Sequence, residues 1–230
     1  MRSEHVTHYT TGGDRSLYIN VTSVPRVKSI ISLRDFQIMS AVLQQFDYPH
    51  VYFAAFTSFY GFLRISNLVA PTQHSFDHAR QLTRADISFT QSRVRLFLKW
   101  AKNLQKAQQS NMVMLPRMMN PLLCPVQILS TLFSSQVFAP SDPVIKVLTE
   151  AQFRKRLHLV LTVLNLPTAS LTYHSLRRSG ASLAFNHKVD FGAIKTHGAW
   201  GSDAIYKYLL SNSDSIQQVP RMFQELETSL

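Results

Sequence analysis

Hydrophobic and polar positions follow two different rhythms along this chain, and the changes between them divide it into helical and extended parts. From Asp35 to Phe46 the apolar residues Phe36, Ile38, Met39, Val42, Leu43 and Phe46 recur at helical spacing, which predicts an amphipathic helix. Tyr52 to Leu68 is apolar nearly all round and predicts a second helix in the core, with Arg64 emerging near its end. Beyond the loop at Pro71 the rhythm shortens. Arg84 to Thr90 reads as a strand, Arg93 to Lys99 alternates with Val94, Leu96 and Leu98 on one face, and Asn111 to Leu115 gives a third strand. Polar turns join them into a small antiparallel sheet, with Lys102 to Ser110 as the turn between the second and third strands. The helical rhythm then returns at Pro125 to Ser134 and at Thr149 to Leu164, where Thr149 and Gln152 form a capping box and Pro167 closes the helix. Further helices are expected from His174 to Phe185, from Asp190 to Thr196 ending at Gly198, and from Ser202 to Leu210. The pattern predicts a mainly α fold with a small three-stranded antiparallel β-sheet.

Residues 1 to 34 are polar and irregular, with Gly12-Gly13 and Pro25, and read as a linker or the remnant of a preceding domain. The remainder is ample for one core, since 45% of the 230 residues are hydrophobic. Charge narrows the partner. Lys and Arg total 24 against 13 Asp and Glu, a net charge of +11, which suits a polyanion such as nucleic acid; a basic membrane-surface protein is the alternative. The longest apolar stretch, Val51 to Leu63, contains Thr57 and Ser58 and falls short of the roughly 20 residues a membrane span requires. The N-terminus has no apolar segment followed by small residues, so export is not expected. Cys124, the single cysteine, excludes a disulfide within the chain and a cysteine-rich zinc site.

Two arginines stand in similar settings, each after an apolar residue at the edge of an apolar segment: Arg64 in Phe62-Leu63-Arg64-Ile65-Ser66-Asn67-Leu68, and Arg177 in His174-Ser175-Leu176-Arg177-Arg178. A planar fork of donors matches either a carboxylate or two phosphate oxygens. A structural ion pair, such as Arg64 with Asp86, is the plain alternative to a phosphate. On a helix His174 and Arg177 share a face and can meet one phosphate, while Arg178 points elsewhere; a satisfied histidine at a helix start explains the same pattern without chemistry.

Together these blocks resemble the tyrosine recombinase (phage integrase) family. The string from Phe62 to Leu68 with Leu82-Thr83-Arg84-Ala85-Asp86-Ile87 is similar to the family's first arginine block and first strand, and Leu98-Lys99-Trp100-Ala101-Lys102-Asn103 to its strand-turn lysine. His174-Ser175-Leu176-Arg177-Arg178 resembles its HxLR block, and His197-Gly198-Ala199-Trp200-Gly201-Ser202-Asp203-Ala204 with Tyr208-Leu209 its tyrosine block. The wording is most similar to recombinases of DIRS-like retroelements and Crypton transposons. The resemblance implies a catalytic domain over residues 35–212, with 1–34 as linker or remnant of a core-binding domain, too short for a DNA-clamping domain, and 213–230 as a tail that either passes to a neighbouring subunit or packs on its own domain.

It also implies roles. Tyr208 is the nucleophile, Arg64 and Arg177 hold the nonbridging oxygens, Lys102 is the general acid, and His174 is proton acceptor and phosphate ligand; Trp200 or His197 donates a ring N–H from the second-histidine position. Tyr206 competes with Tyr208, and Lys99 with Lys102, while Lys106 and Arg178 join Arg64, Lys99, Lys102 and Arg177 as DNA contacts. No metal, ATP or other cofactor is implied. Asn67 stands where the family has an acidic residue, and Ala199 or Trp200 where many members have histidine. The expected function is site-specific cleavage and rejoining of double-stranded DNA through a 3′-phosphotyrosine, by a homo-tetramer on DNA. A mobile-element origin in a eukaryote implies the nucleus, otherwise the cytoplasm. Alternatives are an inactive recombinase fold retained for DNA binding, a type IB topoisomerase-like relaxase, and a basic helical interaction protein.

Overall fold

A computed structural model describes residues 29–46, 48–99, 111–135, 137–146, 148–200, 205 and 206. It contains six α-helices, three short 3-10 helices and three strands among those residues. Helix α1 (Leu33–Gln45) starts where the Ser32 hydroxyl accepts the Asp35 N–H at 3.0 Å, satisfying a donor that the first turn cannot pair internally. Helix α2 (Pro49–Tyr60) is buried on almost every side, from His50 to Phe59. It is the axis of the core: Phe36 of α1 stacks on Phe59 at 4.1 Å, and α3 (Pro125–Ser134) and α5 (Tyr173–Asn186) pack on other faces. Each fully buried phenylalanine here stabilises the fold by about 1.5–3 kcal/mol.

Strands β1 (Ile87–Phe89), β2 (Arg93–Leu98) and β3 (Asn111–Pro116) form one antiparallel sheet in chain order. The register pairs Leu96 with Ile87 on one side and with Val113 on the other, which sends Val94, Leu96 and Leu98 inward and leaves Arg93, Arg95 and Phe97 exposed. The alternation along β2 therefore has its expected effect. Helix α4 (Glu150–Val163) opens with the Thr149/Gln152 capping box, and α6 (Phe191–His197) with the Asp190 carboxylate accepting the Ala193 N–H. No helix among the described residues is long and apolar enough to cross a membrane.

Two expected elements differ. The helix expected to run on to Leu68 stops at Tyr60: Gly61 caps it, Phe62 enters the left-handed region at φ 50°, Arg64 is extended, and only Ile65–Asn67 turn again, as a 3-10 helix. Apolar side chains on both sides of this reversal hide it, because all of them remain buried. The strand expected at Arg84 begins three residues later. Asp86 takes both the backbone N–H of Thr83 at 2.7 Å and its hydroxyl at 2.6 Å, and that local bonding winds Arg84–Asp86 into a 3-10 turn. The expected turn from Lys102 to Ser110 lies outside the described residues, as does the helix expected from Ser202 to Leu210 apart from Ile205 and Tyr206.

Close approach of α2 and α5 is set by Gly180, where a Cβ would lie 1.9 Å from the Phe59 carbonyl oxygen. Ahead of α1, Ile31 is buried and donates its N–H to the Ser179 hydroxyl at 2.7 Å, while the Ser29 and Ser170 hydroxyls share a hydrogen bond of the same length. The end of the segment read as a linker is thus bound to α5 and the loop before it.

Candidate phosphate-binding site

The reversal at residues 60–64, the first turns of α5 and the segment 197–200 meet at one side chain. Arg177 is only 2% exposed. Its Nη1 donates to the Phe62 carbonyl and its Nη2 to the Gly198 carbonyl at 2.8 Å. Its guanidinium carbon lies 3.9 Å from the centre of the Trp200 ring. Burying a permanent cation is costly, and two carbonyl acceptors with an aromatic face offset part of that cost. The Phe62 carbonyl comes from a residue in the left-handed region, and Ala199, beside Gly198, has φ 52°. Both acceptors are therefore delivered from turns that side-chain residues rarely adopt.

Arg64 follows two residues after Phe62 and differs in every respect. It is partly exposed, and among the described residues no hydrogen bond or ion pair holds its guanidinium. The ion pair with Asp86 does not form, because Asp86 is engaged by Lys99 Nζ at 2.6 Å and by Thr83. Lys99 is accordingly occupied at the end of β2. Asn67 is buried and its carbonyl accepts the Leu82 N–H at 2.8 Å.

His174, in the first turn of α5, is exposed, with its ring 4.2 Å from that of Tyr173. Partial burial, then the charges of Arg177 and Arg178, push it below the ordinary histidine range. That shift favours the neutral imidazole at pH 7. Arg178 is 8% exposed and points toward the Ser29 carbonyl, 3.5 Å away, so it faces the segment before α1 rather than open surface. Its expected DNA contact does not follow from that position.

The two candidates for the second-histidine role occupy the same turn. His197 Nε2 lies 2.9 Å from the Tyr60 carbonyl, which assigns the proton to Nε2, and its ring meets Phe62 edge-on at 4.8 Å. Burial lowers its pKa, opposed by that carbonyl. Trp200 is 4% exposed with its indole nitrogen buried, and its ring face serves as the platform under Arg177. Both rings are therefore spent on the site's interior in this conformation. Tyr206 is 63% exposed and stacks on Phe191 at 4.8 Å, beside the fully buried Ile205. Tyr208, Lys102 and Lys106 lie outside the described residues. Among the described residues no three His, Cys, Asp or Glu side chains gather as a metal-binding set.

The carbonyls of Tyr60, Phe62 and Gly198 were not legible in the sequence as acceptors, because backbone acceptors have no residue signature. Tyr173 and Arg154, which adjoin His174, were also missed.

No protein-family model and no curated protein matches the chain. Solved structures do match. The XerH site-specific recombinase in a post-cleavage complex with a palindromic difH substrate is similar with a TM-score of 0.63 at 13% identity, over 91% of this chain and 58% of that one. The XerA recombinase gives 0.57 at 13% identity, over 91% and 69%, and the Tn1549 transposon integrase with circular intermediate DNA gives 0.53 at 15%, over 86% and 66%. The chain thus spans 58% of the length of the XerH structure. Matched along most of its own length by all three, the chain has a tyrosine recombinase, integrase-like fold.

Proposed function

We propose that this chain is the catalytic domain of a site-specific DNA recombinase that cleaves and rejoins strands through a 3′-phosphotyrosine. The observation that supports it best is the bridge made by Arg177, which ties the Phe62 turn to Gly198 and so gathers the arginine, HxLR and tyrosine blocks around one point. Arg64, two residues from that bridge and without a partner among the described residues, is the cation left for a phosphate oxygen. His174 is exposed and its lowered pKa favours the neutral form, which suits a group that takes the phenolic proton. In this reading Tyr208 attacks phosphorus, Lys102 protonates the leaving 5′ oxygen, and Arg64 stabilises the charge on the nonbridging oxygens, while Arg177, expected from the motif to share that task, is engaged by the Phe62 and Gly198 carbonyls and holds the turns around the site together. The motif wording points to a DIRS-like or Crypton-type mobile element, double-stranded DNA as partner and a tetramer as the working assembly.

A second reading, a recombinase fold retained for DNA binding without cleavage, is favoured by the burial of Arg177 against backbone carbonyls and by the amide of Asn67. One experiment separates them. Protein is incubated with a pool of nicked duplexes carrying randomised arms, and denaturing electrophoresis looks for protein-linked DNA. The enzyme forms an adduct that Tyr208→Phe abolishes; the binding protein shifts DNA only in native gels.

A further inference from the structure

Adjacent residues on a helix point in different directions, so two neighbouring rings do not ordinarily stack. Tyr173 and His174 nonetheless meet ring to ring, tilted, with centroids 4.2 Å apart and planes 35° from parallel. Part of the reason lies in their place at the start of α5, where Thr172 and Ser175 form a capping box and the Thr172 N–H reaches the Ser175 hydroxyl at 2.9 Å. That fixes the backbone of the first turn but not the rings. The ring of Tyr173 is fixed from α4: Arg154 Nη2 donates to the Tyr173 hydroxyl at 3.0 Å, and its guanidinium carbon lies 4.5 Å from the centre of the same ring. Arg154 is itself held by the Glu150 carboxylate one turn earlier on α4. A chain of contacts therefore runs from Glu150 through Arg154 and Tyr173 to the imidazole of His174.

We propose that Tyr173, held through its hydroxyl by Arg154, is a positioning residue that fixes the orientation of the His174 ring. The role rests on the recombinase reading for its catalytic consequence, but the coupling itself belongs to the free protein. The Tyr173 ring lies against the imidazole of His174, which is three residues from Arg177 on the same helix. The described groups facing His174 are Arg177 and Arg178 on its own helix, Glu150 and Arg154 on α4, and the Tyr173 ring. Of these, the three arginines oppose protonation and Glu150 favours it. Removing the ring exposes the imidazole to water, and removing Arg154 deletes both the anchor and one opposing charge. Either change moves the titration of His174 toward the ordinary histidine value.

The test uses the full chain and three variants, Tyr173→Ala, Tyr173→Phe and Arg154→Gln. Nuclear magnetic resonance follows the His174 ring protons against pH in the absence of DNA, and the nicked-duplex pool reports adduct formation over the same range. We expect the His174 midpoint to rise by roughly half a unit or more in Tyr173→Ala and Arg154→Gln, with Tyr173→Phe between them and the parent. The acid limb of adduct formation should rise in parallel, giving a loss of roughly three- to tenfold near pH 6 that shrinks at higher pH. Tyr173→Phe keeps the ring volume, so it decides the matter if Tyr173→Ala fails to fold. An unchanged midpoint in the folded variants overturns the proposal, and so does a midpoint that moves while the cleavage profile of an active parent stays fixed. If the parent itself forms no adduct, the recombinase reading fails, and the resonance titration alone decides whether Tyr173 sets His174.

Discussion

Arg177 and Arg64 carry the same charge but are built into the protein in opposite ways, and substitution should separate them. Truncating Arg177 leaves the carbonyls of Phe62 and Gly198 without their donor in a buried place, each at a cost of about 1–3 kcal/mol. Arg177→Ala should therefore lower unfolding stability by roughly 2–5 kcal/mol in urea titration, and Arg177→Lys should restore only part of it, because an ammonium lacks the planar fork that reaches two acceptors. Arg64→Ala should change stability by no more than about 0.5 kcal/mol, since no bond of the described structure is lost, yet it should abolish adduct formation. Equal stability losses in the two variants would show that the division between a structural and a phosphate-facing arginine is wrong. The two arginines were legible in the sequence as a pair, but not their difference. Both follow apolar residues, and what separates them is the backbone carbonyls that surround one and not the other.

At the level of elements, the contact between α2 and α5 controls the site, since Phe59, Tyr60 and Phe62 sit at one end of it and Arg177 and Gly180 on the other helix. Gly180→Ala should force the helices apart, because its Cβ would meet the Phe59 carbonyl at 1.9 Å, and should cost about 1–3 kcal/mol in thermal or urea unfolding. A neutral effect there would mean that the helices can separate without strain. Most elements followed from local signals: the Thr149 capping box opened α4, and Asp190 and Gly198 bracketed α6. Those signals are side-chain chemistry written within a few residues. The turn at Phe62 escaped because burial continues through it, so hydrophobicity does not mark the reversal. The 3-10 turn at Arg84–Asp86 escaped because Asp86 bonds to Thr83 instead of leaving the backbone to the sheet.

For the molecule as a whole, pH and salt are the informative variables. Burial lowers His50, His174 and His197, with Arg156 adding to the effect at His50. Unfolded histidines bind protons near pH 6.5 while these folded ones resist, so the unfolded state takes up more protons. Stability should hold above about pH 7 and fall as the pH drops toward about 5, a trend that urea midpoints at a series of pH values will show. A midpoint that rises on acidification would contradict histidines whose protonation the fold disfavours. The net charge of +11 leads to a second expectation, that affinity for duplex DNA measured by fluorescence anisotropy drops roughly tenfold or more between about 50 and 200 mM salt.

The most direct measurement is mass spectrometry of the protein–DNA adduct recovered from the nicked-duplex pool after nuclease trimming. The account predicts a nucleotide remnant linked through its 3′ phosphate to Tyr208, absent from Tyr208→Phe and from Arg64→Ala. No adduct from the parent protein, or a remnant on any residue other than Tyr208, would contradict it.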